Sequence, residues 1–290
     1  ALFSESAIVR NISALLFALW PSLIAVQHDA RVPSLVAQVA LPWLVYSIAI
    51  AAGFNRRAQT SSQTWVWVGI SGLLLAVVAA ATPNLLPIMI VGLAAILLIK
   101  IRKFGYLIWI PLPAAAIFSP TVLYYLSLLQ PLAIIADPGL PQSSTKLPIW
   151  QFVLGSSAQQ FELPWLGTVS YWITAVPVAL ALVALLTRRA LLSATIWIVV
   201  LVAAAGAFVV ANLSFVAVGV GSTTYGSNLV NGSPFALMAL VALGVTVLVA
   251  LALNELRGVK FKTWMAALLA LTAIIPSAAL AATSGNVLQY

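Results

Sequence analysis

The side chains of this chain that could do chemistry are a few polar and charged residues between long apolar runs. The first group places His28, Asp29 and Arg31 within four residues. A carboxylate at Asp29 could take a proton from a sugar hydroxyl, while Arg31 held a phosphate through charge-assisted hydrogen bonds. Transfer of a sugar from a lipid-phosphate donor needs this arrangement. The alternative is a solvated loop with a local Asp–Arg ion pair, which would contribute little to stability.

A second polar group lies in the longest segment between apolar runs, from about 120 to 165. Its candidate catalytic carboxylates are Asp137 and Glu162, and its candidate substrate-binding side chains, together with His28 and Arg31, are Tyr124, Tyr125 and Lys146. Asp137 is followed by Pro and Gly, which is also a turn signature. Lys146 and Glu162 could equally be solvated, so these roles are hypotheses.

Several classes of site are excluded by composition. The chain has no Cys and one His, which excludes thiolate chemistry and any Cys-based or His-rich metal centre. No metal ligands are assigned, and a divalent cation is left open as a cofactor. The glycine-rich stretch 217–226 lacks the GxxxxGK[ST] pattern of a nucleotide-binding loop, and we interpret it as a mobile external loop that could act as a lid.

The charges are distributed as they are in a multi-spanning membrane protein. Only 6% of the residues are charged and 63% are hydrophobic, whereas soluble domains have roughly a quarter charged residues. The net charge of +8 comes from short basic groups between apolar runs, so it does not indicate nucleic-acid binding. The apolar runs do not alternate with polar residues, which favours helices over a β-barrel.

The apolar runs predict an all-α integral membrane fold with about nine transmembrane helices in one domain, 1–290, of the cell membrane. The candidate spans are 11–26, 34–54, 65–81, 85–99, 105–119, 166–187, 190–212, 234–253 and 264–281. With the N-terminus inside and the C-terminus outside, eleven of the 13 basic residues are cytoplasmic, and only Arg31 and Lys146 are external. Because the chain opens on Ala1 without a signal-peptide pattern, we expect a fragment of a larger protein.

Prolines predict irregular spans. Pro21 predicts a kinked or re-entrant first span, and Pro111, Pro113 and Pro120 predict that the fifth span is broken. Ser233 followed by Pro234 predicts an N-cap and first residue of the eighth span.

Three stretches carry a resemblance to a known family. They are 30–44, with Leu41-Pro-Trp-Leu44; 103–120, with Trp109-Ile-Pro-Leu-Pro113; and 135–141, Ile-Ala-Asp-Pro-Gly-Leu-Pro, followed by 148–155. Together they resemble the C-terminal membrane region of very large family 2 glycosyltransferases of actinobacteria. Those proteins join a cytoplasmic nucleotide-sugar transferase domain to a membrane region similar to the transferases that use polyprenyl-phosphate sugars.

The resemblance covers roughly 14–160 and implies which residues correspond to family positions. Arg31 and Asp137 match, and the family assigns neither of them a role. The family usually has Gly at the position of Asp29, so Asp29 is not carried over as catalytic. The resemblance further implies that the first external loop, with its catalytic carboxylate, lies upstream of Ala1.

The resulting hypothesis is a glycosyltransferase region that acts in cell-envelope glycan assembly. It would move a hexosyl or pentosyl group from a polyprenyl-phosphate sugar to a glycan acceptor at the extracytoplasmic face, in contact with membrane lipids and without nucleic acid. Whether the region is itself an enzyme is left open. The alternatives are a transporter or flippase of lipid-linked glycan, and a non-catalytic membrane scaffold for a cytoplasmic glycosyltransferase.

Overall fold

The described part of the chain is mainly helical, and it includes one small three-stranded sheet. This computed structural model describes residues 6–28, 32–54, 60–127, 139–141, 148–154, 164–188, 190–212, 214–216, 229–255 and 274. The helices are α1 Ala7–Ala18, α2 Pro21–His28, α3 Val32–Ala51, α4 Ser61–Ala81, α5 Leu86–Ile99, α6 Phe104–Leu107, α7 Leu112–Ser127, α8 Ile149–Val153, α9 Pro164–Val183, α10 Ala190–Asn212 and α11 Phe235–Glu255.

Four helices among the described residues, α3, α4, α10 and α11, are long and apolar enough to cross a membrane. The number is five if Pro83–Leu98 and Ile101–Leu107, which meet at 107°, form one broken span. The shorter apolar helices are Ala7–Ala18, Leu112–Ser127 and Thr174–Leu186. These helices are consistent with an integral membrane protein, and they account for part of the predicted set. The ninth predicted span, 264–281, lies outside the described residues except for position 274.

Two of the predicted spans are interrupted near prolines. The first consists of α1 and α2, which are separated at Leu19 and Trp20, directly before Pro21. The fifth is interrupted between Leu107 and Leu112. Pro120 does not break the helix, contrary to our expectation, since it lies inside α7. A proline removes a single backbone donor, and apolar helices tolerate that loss where neighbouring groups compensate.

A small sheet is the one feature among the described residues that the all-helical prediction lacks. Its strands are β1 Gly139–Pro141, β2 Ser214–Val216 and β3 Leu229–Gly232, in the order β1-β3-β2 with both pairs antiparallel. The strands have three or four residues each, which is too short for an alternating pattern to be visible in the sequence.

Local hydrogen bonds define two helix ends. The end of α3 is a Schellman motif, in which Phe54 N–H donates to Ala49 O at 3.0 Å and Gly53 N–H donates to Ile50 O at 2.8 Å. Gly53 has φ 75°, a left-handed conformation that favours glycine. The start of α4 is a capping box between Thr60 and Gln63, whose two bonds are both 3.3 Å long. The helix therefore begins at Ser61, earlier than the predicted position 65.

The chain folds into two compact units. Unit 1 comprises Ala1–Ala30, Pro148–Ala205 and Met238–Tyr290, and unit 2 comprises Arg31–Leu147 and Gly206–Leu237. In unit 1, Trp197 Nε1 donates to Ala181 O at 3.2 Å, which joins α10 to α9. Gly244 of α11 faces Val200 of α10 so closely that a Cβ atom there would overlap the valine side chain.

In unit 2, α3 and α4 pack side by side. Ser71 Oγ donates to Ser47 Oγ at 3.0 Å, and both side chains are buried. Further along α4, Gly72 contacts the interruption between α6 and α7. A Cβ atom on Gly72 would lie 2.9 Å from Pro113 Cγ and 3.1 Å from Ile110 O. The absence of a side chain at position 72 therefore allows the broken helix to approach α4.

We predict that Gly72→Ala destabilises the protein, because the added methyl group has to displace Pro113 or the backbone at Ile110. Overpacking of this kind costs about 1–3 kcal/mol. The measurement is the Tm of the purified protein in detergent. The matched control is Gly69→Ala on the same helix, where a Cβ atom would meet nothing within 4 Å. Equal Tm values for the two variants would contradict the proposed close approach.

Candidate functional site

Three polar segments meet in unit 2 at the small sheet. Strand β1 belongs to the segment 120–165, whereas β2 and β3 lie within 213–233. In the β1–β3 pair, Gly139 faces Gly232 and Pro141 faces Val230. Because this pairing is antiparallel, the chain entering β1 and the chain leaving β3 are at the same end of the sheet.

The third segment reaches the sheet through Asn84, in the turn between α4 and α5. Asn84 Nδ2 donates to the backbone oxygen of Ser233 at 2.5 Å, directly after β3. Both residues are only 3% exposed. Thr82, at the end of α4, is buried as well, and its Oγ1 donates to Val78 O at 3.2 Å. A buried amide thus holds the α4–α5 turn against the end of β3.

Two buried polar atoms of this contact have no hydrogen-bond partner among the described residues. They are Asn84 Oδ1 and Ser233 Oγ. The predicted cap by Ser233 is not formed through its hydroxyl, and α11 begins at Phe235, one residue after Pro234. A buried acceptor and a buried hydroxyl are therefore left at the start of α11. The N-terminus of a long helix carries a partial positive charge, which favours anions nearby.

Two of the predicted substrate-binding residues, Tyr124 and Tyr125, lie in the last turn of α7. Their rings pack edge to face, with centroids 5.9 Å apart, and the side chain of Tyr124 is about half exposed. His28 is the last residue of α2. His28 belongs to unit 1, and the two tyrosines belong to unit 2.

The other predicted site residues lie outside the described residues. They are Asp29, Arg31, Asp137, Lys146 and Glu162. In the sequence, Asp137 precedes Gly139, the first residue of β1, by two positions.

The composition of this region bears on possible cofactors. Within the described residues, no group of three or more His, Asp or Glu side chains is placed to hold a metal ion. The polar groups at the sheet end are an amide, a hydroxyl and backbone atoms, which bind ligands by hydrogen bonds. These groups can orient hydroxyl or phosphate oxygens, while proton transfer would need a carboxylate in addition.

Asn84 and Ser233 were not among the residues predicted to form a site. Thr82, Pro83 and Asn84 indicate a short turn, and Ser233 indicates a helix cap, so each has an ordinary local explanation. Their contact joins positions 149 residues apart, and no local pattern reports such a distance. The available sign of this contact in the sequence was that both segments are polar.

Comparison with protein-family models, with curated proteins and with solved structures finds no match to this chain. The fold itself defines a helical protein, whose described residues include four or five helices long and apolar enough to cross a membrane.

We predict that Asn84→Ala lowers the stability of the protein, because it removes the donor to a buried Ser233 oxygen. Loss of a buried hydrogen bond with an unsatisfied partner costs about 1–3 kcal/mol. The matched control is Ser233→Ala, which removes a buried hydroxyl without a described partner and is expected to leave Tm unchanged or raised. A larger loss of Tm in Ser233→Ala than in Asn84→Ala would refute this assignment.

Proposed function

We propose that this chain is the membrane region of a cell-envelope glycosyltransferase, and that it transfers a sugar from a polyprenyl-phosphate donor at the extracytoplasmic face. In this proposal, the chain crosses the cell membrane about nine times, with its N-terminus inside. The observation that carries the proposal is the joining of polar segments by the sheet and by Asn84. The resemblance of 30–44, 103–120 and 135–141 to the membrane region of family 2 glycosyltransferases supports the same assignment.

The contacts within unit 2 support the proposed topology. The charge pattern assigns three segments of this unit to the external side, namely 82–84, 120–165 and 213–233, and these segments meet at the sheet end. It assigns 55–64 and 100–104 to the cytoplasmic side, and residues at or next to these two segments also contact each other. Ser61 Oγ and Tyr106 Oη, for example, are 3.0 Å apart. Contacts therefore connect segments that have been assigned to the same side.

Asp137 is the proposed general base. In the sequence it precedes β1 by two residues, and β1 pairs with β3 beside the Asn84–Ser233 contact, where buried polar atoms and the start of α11 are found. Helix α11 has 21 residues, and its N-terminus favours the negatively charged phosphate of the donor. Arg31 and Lys146, the external basic residues, would contact the same phosphate.

The proposed reaction is a displacement at the anomeric carbon of the sugar. The Asp137 carboxylate takes the proton of the acceptor hydroxyl, and the acceptor oxygen bonds to the anomeric carbon. The bond from this carbon to the phosphate oxygen breaks, and polyprenyl phosphate leaves with the bonding electron pair. Asp29 and Glu162 are the alternative carboxylates for proton transfer, while His28, Tyr124 and Tyr125 would contact the sugar or the acceptor.

The rival function, movement of a lipid-linked glycan, needs a polar path through the membrane. Two of the few polar side chains within the spans, Ser47 and Ser71, hydrogen-bond to each other. This pair supports close packing of α3 and α4 rather than a lining for such a path. The scaffold alternative predicts that no carboxylate of the region affects transfer.

We predict that Asp137→Asn lowers the rate of sugar transfer by about 10²–10⁴-fold, which is the usual contribution of a general base. The measurement is transfer of radiolabelled sugar from a polyprenyl-phosphate sugar to envelope glycan, in membranes of cells that produce the full-length parent protein. Asp29→Asn and Glu162→Gln are made in parallel as matched losses of one external carboxylate. Protein amount and Tm are measured for each variant, so that loss of folding is recognised.

If all three variants transfer sugar at the rate of the unchanged protein, the catalytic assignment is wrong. Loss of glycan movement across vesicles without loss of transfer would favour the transporter instead. A large loss in Asp29→Asn or Glu162→Gln, with Asp137→Asn active, would keep the function and reassign the base.

A further inference from the structure

Two lysine side chains converge on the end of α3 in unit 2. The ammonium group of Lys100 lies over the ring of Phe54, 4.6 Å from its centroid. The Cε atom of Lys103 is 3.8 Å from the position that a Cβ atom on Gly53 would have. Gly53 and Phe54 are the last two residues of the Schellman motif, so hydrogen bonds fix the backbone of the two residues that the lysine side chains approach.

Aromatic side chains surround the same place. Lys103 Nζ lies 5.3 Å from the ring centroid of Tyr106, and the Tyr106 ring packs edge to face on Trp65 at 5.1 Å. Trp109 lies beside Trp65, with ring centroids 6.5 Å apart. Trp65, Trp109 and Phe54 are exposed over more than two fifths of their surface. Tryptophan and tyrosine concentrate where a membrane meets water, because their rings are apolar and their tips are polar.

The positive charge of this cluster lies in a stretch of the sequence without carboxylates. No Asp or Glu occurs between Asp29 and Asp137. The C-terminal end of α3 supplies the equivalent of about half a negative charge. The cluster therefore has an excess of positive charge. It comes from the two ammonium groups and from the exposed guanidinium group of Arg102, which lies between the two lysines in the sequence. The ligand that fits such a site is an anion.

Apolar side chains beside the lysines show which kind of anion fits. Leu98 is 79% exposed and Ile101 is 70% exposed, and they flank Lys100 on either side along the chain. Phe104 and Ile108 are also nearly half exposed. A free phosphate ion would bind the lysines and leave this surface uncovered, whereas the acyl chains of a lipid would cover it.

We infer that the cluster formed by Phe54, Trp65, Lys100, Lys103, Tyr106 and Trp109 binds the headgroup phosphate of an anionic phospholipid. The two ammonium groups contact the phosphate, and the acyl chains lie along Leu98 and Ile101. Bound lipid would fix the turn between α5 and α6 against the end of α3. This inference does not depend on the transfer reaction, since the cluster contains none of the proposed catalytic residues.

The test is native mass spectrometry of the full chain in detergent with phosphatidylglycerol or phosphatidylcholine added. We expect phosphatidylglycerol to bind preferentially. The double variant Lys100→Gln/Lys103→Gln should bind it about 25-fold more weakly, since each basic residue near a membrane surface contributes about fivefold. Lys100→Arg/Lys103→Arg keeps both charges and should retain binding. The matched control is Arg188→Gln/Arg189→Gln, which removes the same charge from another basic group.

Three outcomes would overturn the inference. The first is an equal loss of binding in the Arg188→Gln/Arg189→Gln control, which would show a general charge effect. The second is displacement of phosphatidylglycerol by millimolar inorganic phosphate, which would show a simple anion site. The third is unchanged lipid binding in the Lys100→Gln/Lys103→Gln variant. Tm is measured for every variant. If the glutamine pair unfolds, lipid binding is measured with Phe54→Leu and with Trp65→Leu instead, and each is expected to bind phosphatidylglycerol more weakly.

Discussion

The described fold depends on one constraint, which is that every backbone donor and acceptor in an apolar chain needs a partner within the protein. Water is absent from a hydrocarbon environment, and an unpaired peptide group there costs several kcal/mol, of the order of a hydrogen bond or more. The long apolar runs therefore form helices. Where a helix ends, the chain supplies specific partners, namely the capping box at Thr60, the Schellman motif at Gly53 and the sheet at Ser214, two residues after the end of α10.

The interruptions of the helices are where polar groups that could bind a ligand are found. In the turn after α4, the buried Asn84 side chain donates to the backbone oxygen of Ser233 beside the sheet, and both side chains retain buried polar atoms without described partners. The interruption before α7 instead packs tightly on Gly72 and is a structural feature. The break before α7 thus serves the packing of helices, whereas the turn after α4 brings polar segments together. The Asn84–Ser233 contact and the proposed lipid site both lie in unit 2, at contacts between different sets of segments.

The sequence predicts the helical class and most long helices of this protein, because apolar runs of about 20 residues have few alternatives. It also contains the capping signature Thr60-Ser-Ser-Gln63, which would have placed the start of α4 correctly. It could not predict the sheet, whose strands are too short to show a period, or the contact between Asn84 and Ser233, which is set by tertiary packing. Tyr124 and Tyr125 were predicted as substrate-binding residues from residue type alone, and their role stays a prediction beside the ring pair that they form in α7.

The most direct test of the central claim is disulfide formation between strands in native membranes. This chain has no Cys, so an introduced pair supplies the only thiols within these 290 residues. Leu140 and Asn231 are partners in the β1–β3 pair, and facing Cα atoms about 4.5–5.5 Å apart lie within the range of a disulfide. Leu140 and Phe215 lie on β1 and β2, which are separated by β3 and hence by roughly 10 Å. The account predicts rapid cross-linking of Leu140→Cys/Asn231→Cys and little of Leu140→Cys/Phe215→Cys. The absence of cross-linking in the first pair, or equal cross-linking in both, would contradict it.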